Sequence, residues 1–289
     1  MRTPSRARLL VNCAILSNRP GLPEPKADGI LLIHKPANWT SFDVIAKLRN
    51  TMEIDLKKKK NIQFSRKKRL KVGHGGTLDP YAEGLLVVGV GKYTKLMHNY
   101  MKGSKAYRAT ALLGHETDTQ DLTGVQTTMK PTDHVTLDML REAALNFVGN
   151  ISQTPPAFSA LKRGGKPMYA LAREGKLRES DIEPRTVSVE RLQITNFNSK
   201  TGAFEFDVVC GGGTYVRTLA VDLARRVHSA AHITSLLRTQ VGPFRLEVAG
   251  EGHGEPVDPL LVDEFGDAER IYESMYKTEE LLNLNVNSE

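Results

Sequence analysis

The apolar positions of this chain fall into runs with two different periods. Gly29-Ile-Leu-Leu-Ile33 is a short continuous apolar run and predicts a buried strand. Val44, Ile45, Leu48 and Met52 recur at helical spacing and predict a helix over 42–53, capped by Thr40 or Ser41. Leu85 to Val90 reads as a second buried strand, and 105–113 as another. In 203–210, Phe204, Phe206, Val208 and Cys210 alternate with Glu205 and Asp207, the signature of a half-buried strand. Amphipathic helices are expected at 136–148 and, after the Gly211–Thr214 turn, at about 216–228. Residues 151–185, rich in proline, glycine and charge, read as a protruding insertion with a short helix near 168–174. A last helix is expected at 267–283. Strands and helices mix without a regular βαβ rhythm, which favours an α+β fold.

Length and composition narrow this further. At 289 residues, with 40% hydrophobic and 25% charged, the chain is globular, of two domains or one large one. No apolar run reaches the ~18–20 residues of a membrane span. Cys13 and Cys210 are too few for a disulfide framework, and a reducing compartment is the default. Residues 1–23 hold four arginines and no acid, and read as an organelle transit segment, a disordered leader or a mis-assigned start. An intracellular protein of cytoplasm or nucleus is expected, or of mitochondrion or plastid if that segment is a transit signal.

Charge is uneven. Residues 57–71 carry nine Lys/Arg and no acid, more than the whole net charge of +7. Residues 72–246 hold 21 basic and 16 acidic side chains, whereas 247–289 hold two and twelve. A basic middle with a basic loop fits a polyanion partner; a solvated surface loop or a nuclear import signal fits as well.

Cofactor motifs fail. Gly84 and Gly89 have half the spacing of a phosphate loop, but Val90 follows instead of lysine, and no third dinucleotide-binding glycine is present. His228 and His232 are four apart without a further ligand, and His115-Glu-Thr-Asp118 offers no octahedral set. Neither a metal nor a cofactor is expected. The densest unusual segment is Val72-Gly-His-Gly-Gly-Thr-Leu-Asp-Pro-Tyr-Ala-Glu-Gly-Leu-Leu86. Pro80 pushes Asp79 towards an extended backbone, and the glycines let another chain come close, so one carboxylate could stand at a cleft floor. An Asx-type turn before a strand explains the same residues. Gly211-Gly-Gly-Thr-Tyr-Val-Arg-Thr218 adds Tyr215 and Arg217 at a helix entry, and an arginine can pair with a carboxylate and keep it ionised. Tyr107, in Lys105-Ala-Tyr-Arg108, offers an aromatic platform between positive charges.

Together these blocks resemble the TruB-type tRNA pseudouridine synthases, which isomerise uridine 55 of the tRNA T-arm. The likeness runs from about Gly29 to Val248 in seven ordered blocks. They are Lys35-Pro36 with Thr40-Ser41, GHGGTLDPYAEGLL, Lys105–Arg108, Gly114-x-x-Thr-Asp-Thr-x-Asp121, Gln153–Lys162, Gly213–Thr218 and Ala231-His-x-x-x-Leu-x-Arg238. The resemblance implies a pseudouridine synthase fold with a mixed, mostly antiparallel central sheet, flanking helices and an RNA-gripping thumb at about 151–185. It implies Asp79 as the catalytic aspartate, Arg217 as its partner and Tyr215 near C5 of the base. Tyr107 would stack on the flipped base, Leu236 would line its pocket, and His74 would support the RNA near it. Lys35 would be mainly structural, and Lys162, Arg163, Lys166 and Arg173 would contact phosphates. No metal or cofactor is implied. The implied partner is the tRNA T-arm, with other RNAs that carry T-loop-like hairpins, but neither DNA nor a membrane, and a monomer.

Against that pattern, residues 1–27 read as a leader, 28–249 as the catalytic domain and 250–289 as an acidic tail too short for a complete PUA module. Residues 57–71 read as an inserted loop, and Asn38 replaces a glycine common in the Lys-Pro turn. A guide-RNA-dependent synthase subunit and a non-catalytic tRNA-folding protein are the alternatives.

Overall fold

A computed structural model describes residues 27–177, 179–246, 255–266 and 268–286. The expected leader, up to residue 26, lies outside them.

The first strand, β1 (Gly29–Lys35), leads through a tight turn into helix α1 (Ser41–Lys60). Thr40 is the N-cap: its hydroxyl accepts from the Asp43 amide while the Asp43 carboxylate accepts from the Thr40 amide. Such a cap contributes about 1 kcal/mol. The helix outruns the expected end at 53 because Leu56 extends the buried stripe of Val44, Ile45, Leu48 and Met52. It stops at Asn61, whose left-handed backbone (φ 52°) closes the C-terminus. Lys57, Lys58, Lys59 and Lys60 therefore form its last turn, where they complement the helix dipole. This corrects the reading of 57–71 as one loop. Ile62 and Phe64 then turn back into the core, and Ser65 and Lys68 close a tight hairpin.

The remaining strands are β2 (Val72–His74), β3 (Glu83–Val90), β4 (Lys105–Leu113), β5 (His115–Thr117), β6 (Gln126–Met129), β7 (Gly149–Gln153), β8 (Lys162–Arg163), β9 (Lys166–Pro167), β10 (Arg185–Asn198), β11 (Ala203–Cys210), β12 (Ala231–Val241), β13 (Phe244–Leu246), β14 (Glu255–Val257) and β15 (Leu260–Leu261). Helices α2 (Met97–Lys102), α3 (Leu137–Leu145), α4 (Met168–Arg173), α5 (Val216–Arg226) and α6 (Ala268–Val286) complete the chain. No helix among the described residues is long and apolar enough to cross a membrane.

An 11-stranded sheet runs in the order β15-β1-β3-β12-β4-β11-β10-β7, with β2, β13 and β14 at its sides. Most pairs are antiparallel; β1 with β15, β3 with β12 and β13 with β14 are parallel. The architecture is the expected mixed, mostly antiparallel α+β sheet. Register decides which side chains share a face. Tyr107 is opposite Val208 and Arg238, and Ala109 is opposite Phe206 and Leu236. Leu86, two residues beyond Gly84, shares the face of Arg238. This face carries α1 and α6 over β1 and β3, and α3 and α5 over the other half. The start of α5 borders a cleft on this face, while Met97 and Phe244 pack on the opposite side.

β3 can approach β12 because residue 84 is glycine. Its φ is 107°, and a Cβ there would collide with the Arg238 backbone. The acidic C-terminal segment packs onto the same core. Phe265, Ile271, Tyr272 and Met275 are buried with the α1 stripe, and Tyr272 donates to Asp55. Residues 247–254 lie outside the described residues.

Candidate active site

The loop between β2 and β3 is held from beneath by three side chains. Ser41 Oγ accepts from the Leu78 amide at 2.9 Å and donates to the Leu78 carbonyl at 3.2 Å. Lys35, fully buried, donates to the carbonyls of Pro36, Trp39 and Pro80, and the Asn38 amide also donates to Pro80. Asn38 takes a left-handed backbone (φ 65°), a region in which asparagine is enriched among non-glycine residues. Burial pulls the Lys35 amine down to about 8. From the other side Arg238, 1% exposed, donates to the carbonyls of Leu85, Gly76 and Thr77. Leu78 and Pro80 are thus fixed on both sides of Asp79, which stays partly open to solvent.

The opposite wall is the start of α5. Gln153 clamps the Tyr215 backbone: its amide nitrogen donates to the Tyr215 carbonyl and its oxygen accepts from the Tyr215 amide. As the second residue of the helix, Arg217 is buried at 3% exposure, and its Nε lies 2.8 Å from Asp79 Oδ2. The rest of its fork is used elsewhere, one terminal nitrogen donating to the Thr119 carbonyl at 2.5 Å and the other to the Phe158 carbonyl at 3.0 Å. Asp121 stands 3.8 Å from Arg217 and is itself held by the hydroxyls of Thr119 and Thr123. The expected pair therefore forms through Nε alone. The guanidinium also ties the Asp79 loop to the β5–β6 region and to the thumb.

Between the walls is a cleft of about 320 Å³. Asp79, Tyr107, Tyr215, Arg217 and Leu236 all line it, together with Lys105, Arg238 and the glycines 211 and 213. Burial raises the phenols of Tyr107 and Tyr215. Lys105 donates to the carbonyls of Met101 and Gly103, and burial first, then the Arg238 charge, brings its amine down to about 8.

Three expected site residues do not line the cleft. Lys35 lies under its floor. His74 is two residues from the lining, where its Nδ1 accepts from the Gly76 amide; burial, then Arg238, lowers its pKa. Lys162 is exposed on the β8–β9 hairpin of the thumb. Arg238, Lys105 and Gln153 build the cleft, although within their sequence blocks they carry no expected role. All three are polar side chains buried on strands, which their sequence surroundings do not mark. Among the described residues no cluster of His, Cys, Asp and Glu could hold a metal ion. His228 sits in a turn and His232 on β12, not on one helix face.

The cleft thus brings together a carboxylate beside a buried arginine, two tyrosines and an apolar side chain. The family model for TruB family pseudouridylate synthases (N-terminal domain) matches residues 59–216, over half of the chain. The chain is 36% identical over 252 residues to the human pseudouridylate synthase TRUB1, covering 87% of this chain and 70% of that protein. It is 40% identical over 224 residues to tRNA pseudouridine synthase B of Bordetella avium, covering 77% and 84%. Among solved structures, a Cbf5-Nop10-Gar1 complex aligns with a TM-score of 0.52 at 26% identity, over 77% of this chain and 51% of the other. The chain thus spans about half the length of that solved relative. It belongs to the TruB family of pseudouridylate synthases.

Proposed function

We propose that this enzyme converts uridine to pseudouridine at position 55 in the T-loop of tRNA, acting as a monomer on the bare RNA inside the cell. The observation that carries the reading is the 2.8 Å approach of Arg217 Nε to Asp79 Oδ2 at the cleft floor. The reaction breaks the N1–C1′ bond, turns the uracil and joins C5 to C1′; the C5 hydrogen leaves as a proton and N1 takes one up. Asp79 acts on the sugar, either by attack at C1′ or by removing the C2′ hydrogen. Arg217 holds the compensating charge beside it and fixes its rotamer. A uridine inside a folded loop must leave its stack to enter a cleft of this size, so base flipping precedes chemistry. Tyr107 offers the stacking face, Leu236 the apolar wall, and Tyr215 a hydroxyl near C5 for the departing proton. Stacking of this kind contributes about 1–3 kcal/mol. The exposed cations of the thumb, Lys162, Lys166 and Arg173, are suited to phosphates.

Names support the tRNA substrate: the Bordetella avium relative is a tRNA pseudouridine synthase. The solved relative is a multi-subunit complex, which favours a second reading as one subunit of a particle. One assay separates the two. tRNA tritiated at C5 of uridine is incubated with the wild type and with Asp79→Asn. Release by the wild type alone, mapping to the T-loop uridine without added RNA or protein, establishes the proposal. Binding of tRNA without release overturns it.

A further inference from the structure

Residues 57–71 form a cationic platform tied to α1 and to the core. Arg69 Nε meets both oxygens of Glu53 at 2.8 Å, and the Leu70 amide donates to the same carboxylate. Arg49 donates to the carbonyls of Leu70 and Val72, and Ile62 and Phe64 pack into the core beneath. Lys59 is engaged by Asp55 and Glu269. Lys57, Lys58, Arg66, Lys67, Lys68 and Lys71 are exposed, with no carboxylate partner among the described residues.

Six like charges on one surface repel one another, and no carboxylate among the described residues pairs with them. Their place is fixed relative to the active site by α1. Ser41, its first residue, grips Leu78 beside Asp79. Lys57 to Lys60 lie 16 to 19 residues further on, about 24–29 Å along the helix axis. Helix α1 lies on the cleft-bearing face of the sheet. Within 57–71 no large apolar side chain is exposed, so the platform offers neither a stacking surface for bases nor an apolar wedge for a lipid surface. Its chemistry fits the phosphates of a double helix, read by shape and charge.

We propose that this platform is a second RNA-binding surface, which takes the phosphate backbone of the double-helical stem leading away from the flipped uridine. The inference rests on the functional reading above, since it places the same RNA on both sites. It gives an RNA substrate two anchors a helix length apart and makes affinity depend on the stem as well as the loop.

The test replaces all six cations by glutamine (K57Q, K58Q, R66Q, K67Q, K68Q, K71Q) and measures binding against salt for full-length tRNA and for a short hairpin carrying only the target loop. If the platform neutralises about three to six phosphates, the log–log salt slope for tRNA flattens by about 2–5 in this variant, while the hairpin slope and kcat stay at wild-type values. A second variant limited to Arg66, Lys67 and Lys68 leaves α1 untouched and should give roughly half the change, which guards against a folding defect. An unchanged tRNA slope overturns the proposal. So does an equal loss on the hairpin, or loss of binding only to anionic vesicles or to acidic protein. Pseudouridine formation by the wild type is scored separately, so failure of the enzyme assignment is not mistaken for failure of the platform.

Discussion

Ser41 Oγ and the Leu78 backbone exchange two hydrogen bonds, at 2.9 and 3.2 Å, so the first residue of α1 holds the residue before Asp79. Ser41 is 2% exposed, and its removal would strand a buried amide and carbonyl. Each such group costs about 1–3 kcal/mol. Ser41→Ala should lower stability by about 2–6 kcal/mol in chemical denaturation. It should also lower kcat more than it raises KM, because Asp79 loses its fixed position while the RNA contacts remain. An unchanged kcat would show that the Lys35 and Arg238 clamps suffice alone.

Arg217 serves Asp79 through Nε and two carbonyls through its other nitrogens. A lysine keeps the charge but cannot make all three contacts in a plane. Arg217→Lys should lower kcat by at least about tenfold, equivalent to roughly 1.4 kcal/mol, with tRNA affinity changed little. Wild-type turnover in this variant would remove Arg217 from the proposed chemistry.

Much of this is legible in the sequence because it is local. The stripe of Val44, Ile45, Leu48 and Met52, and the alternation of Phe204 to Cys210, name their elements without tertiary help. β12 escapes the pattern because its pairing with β4 shifts register between Ile233 and Ser235 and between Arg238 and Gln240, which breaks the period of two. The buried Arg238 also reads as a surface residue until three carbonyls are seen around it. The extension of α1 into the lysines is hidden by their charge: in the last turn of a helix such charge is favourable, whereas in composition it looks like a loop. Asp79, Tyr107, Tyr215, Arg217 and Leu236 come from four separate segments, and only the fold brings them to one cleft. Which of them the sequence can single out depends on family likeness more than on spacing.

Gly84 is paired with Arg238 where β3 runs beside β12. Its φ of 107° suits glycine, and an added Cβ would overlap the Arg238 backbone. Gly84→Ala combines backbone strain with a steric clash, so it should destabilise by more than about 1–3 kcal/mol. The clash would displace Arg238, and with it the Gly76 and Thr77 carbonyls that shape the cleft. Loss of activity should therefore accompany the fall in Tm. An alanine variant of wild-type Tm would show that the two strands can part at no cost.

Lys105 gives a prediction with a definite sign. Its amine sits at about 8 in the fold against an ordinary 10.5, because burial disfavours the charged form. Between about pH 8 and 10.5 the unfolded chain binds the proton that the folded chain has released, so stability from this group rises with pH across that window. Below pH 8 both states are charged and the contribution is constant and unfavourable. Lys105→Met removes the group, so the Tm of the wild type minus that of the variant should climb from pH 8 towards 10.5 and stay flat from pH 6 to 8. The subtraction cancels Lys35, which shifts in the same direction, and the surface lysines. A difference that is flat throughout, or that falls, would mean that the Met101 and Gly103 carbonyls hold the ammonium well enough to offset its burial.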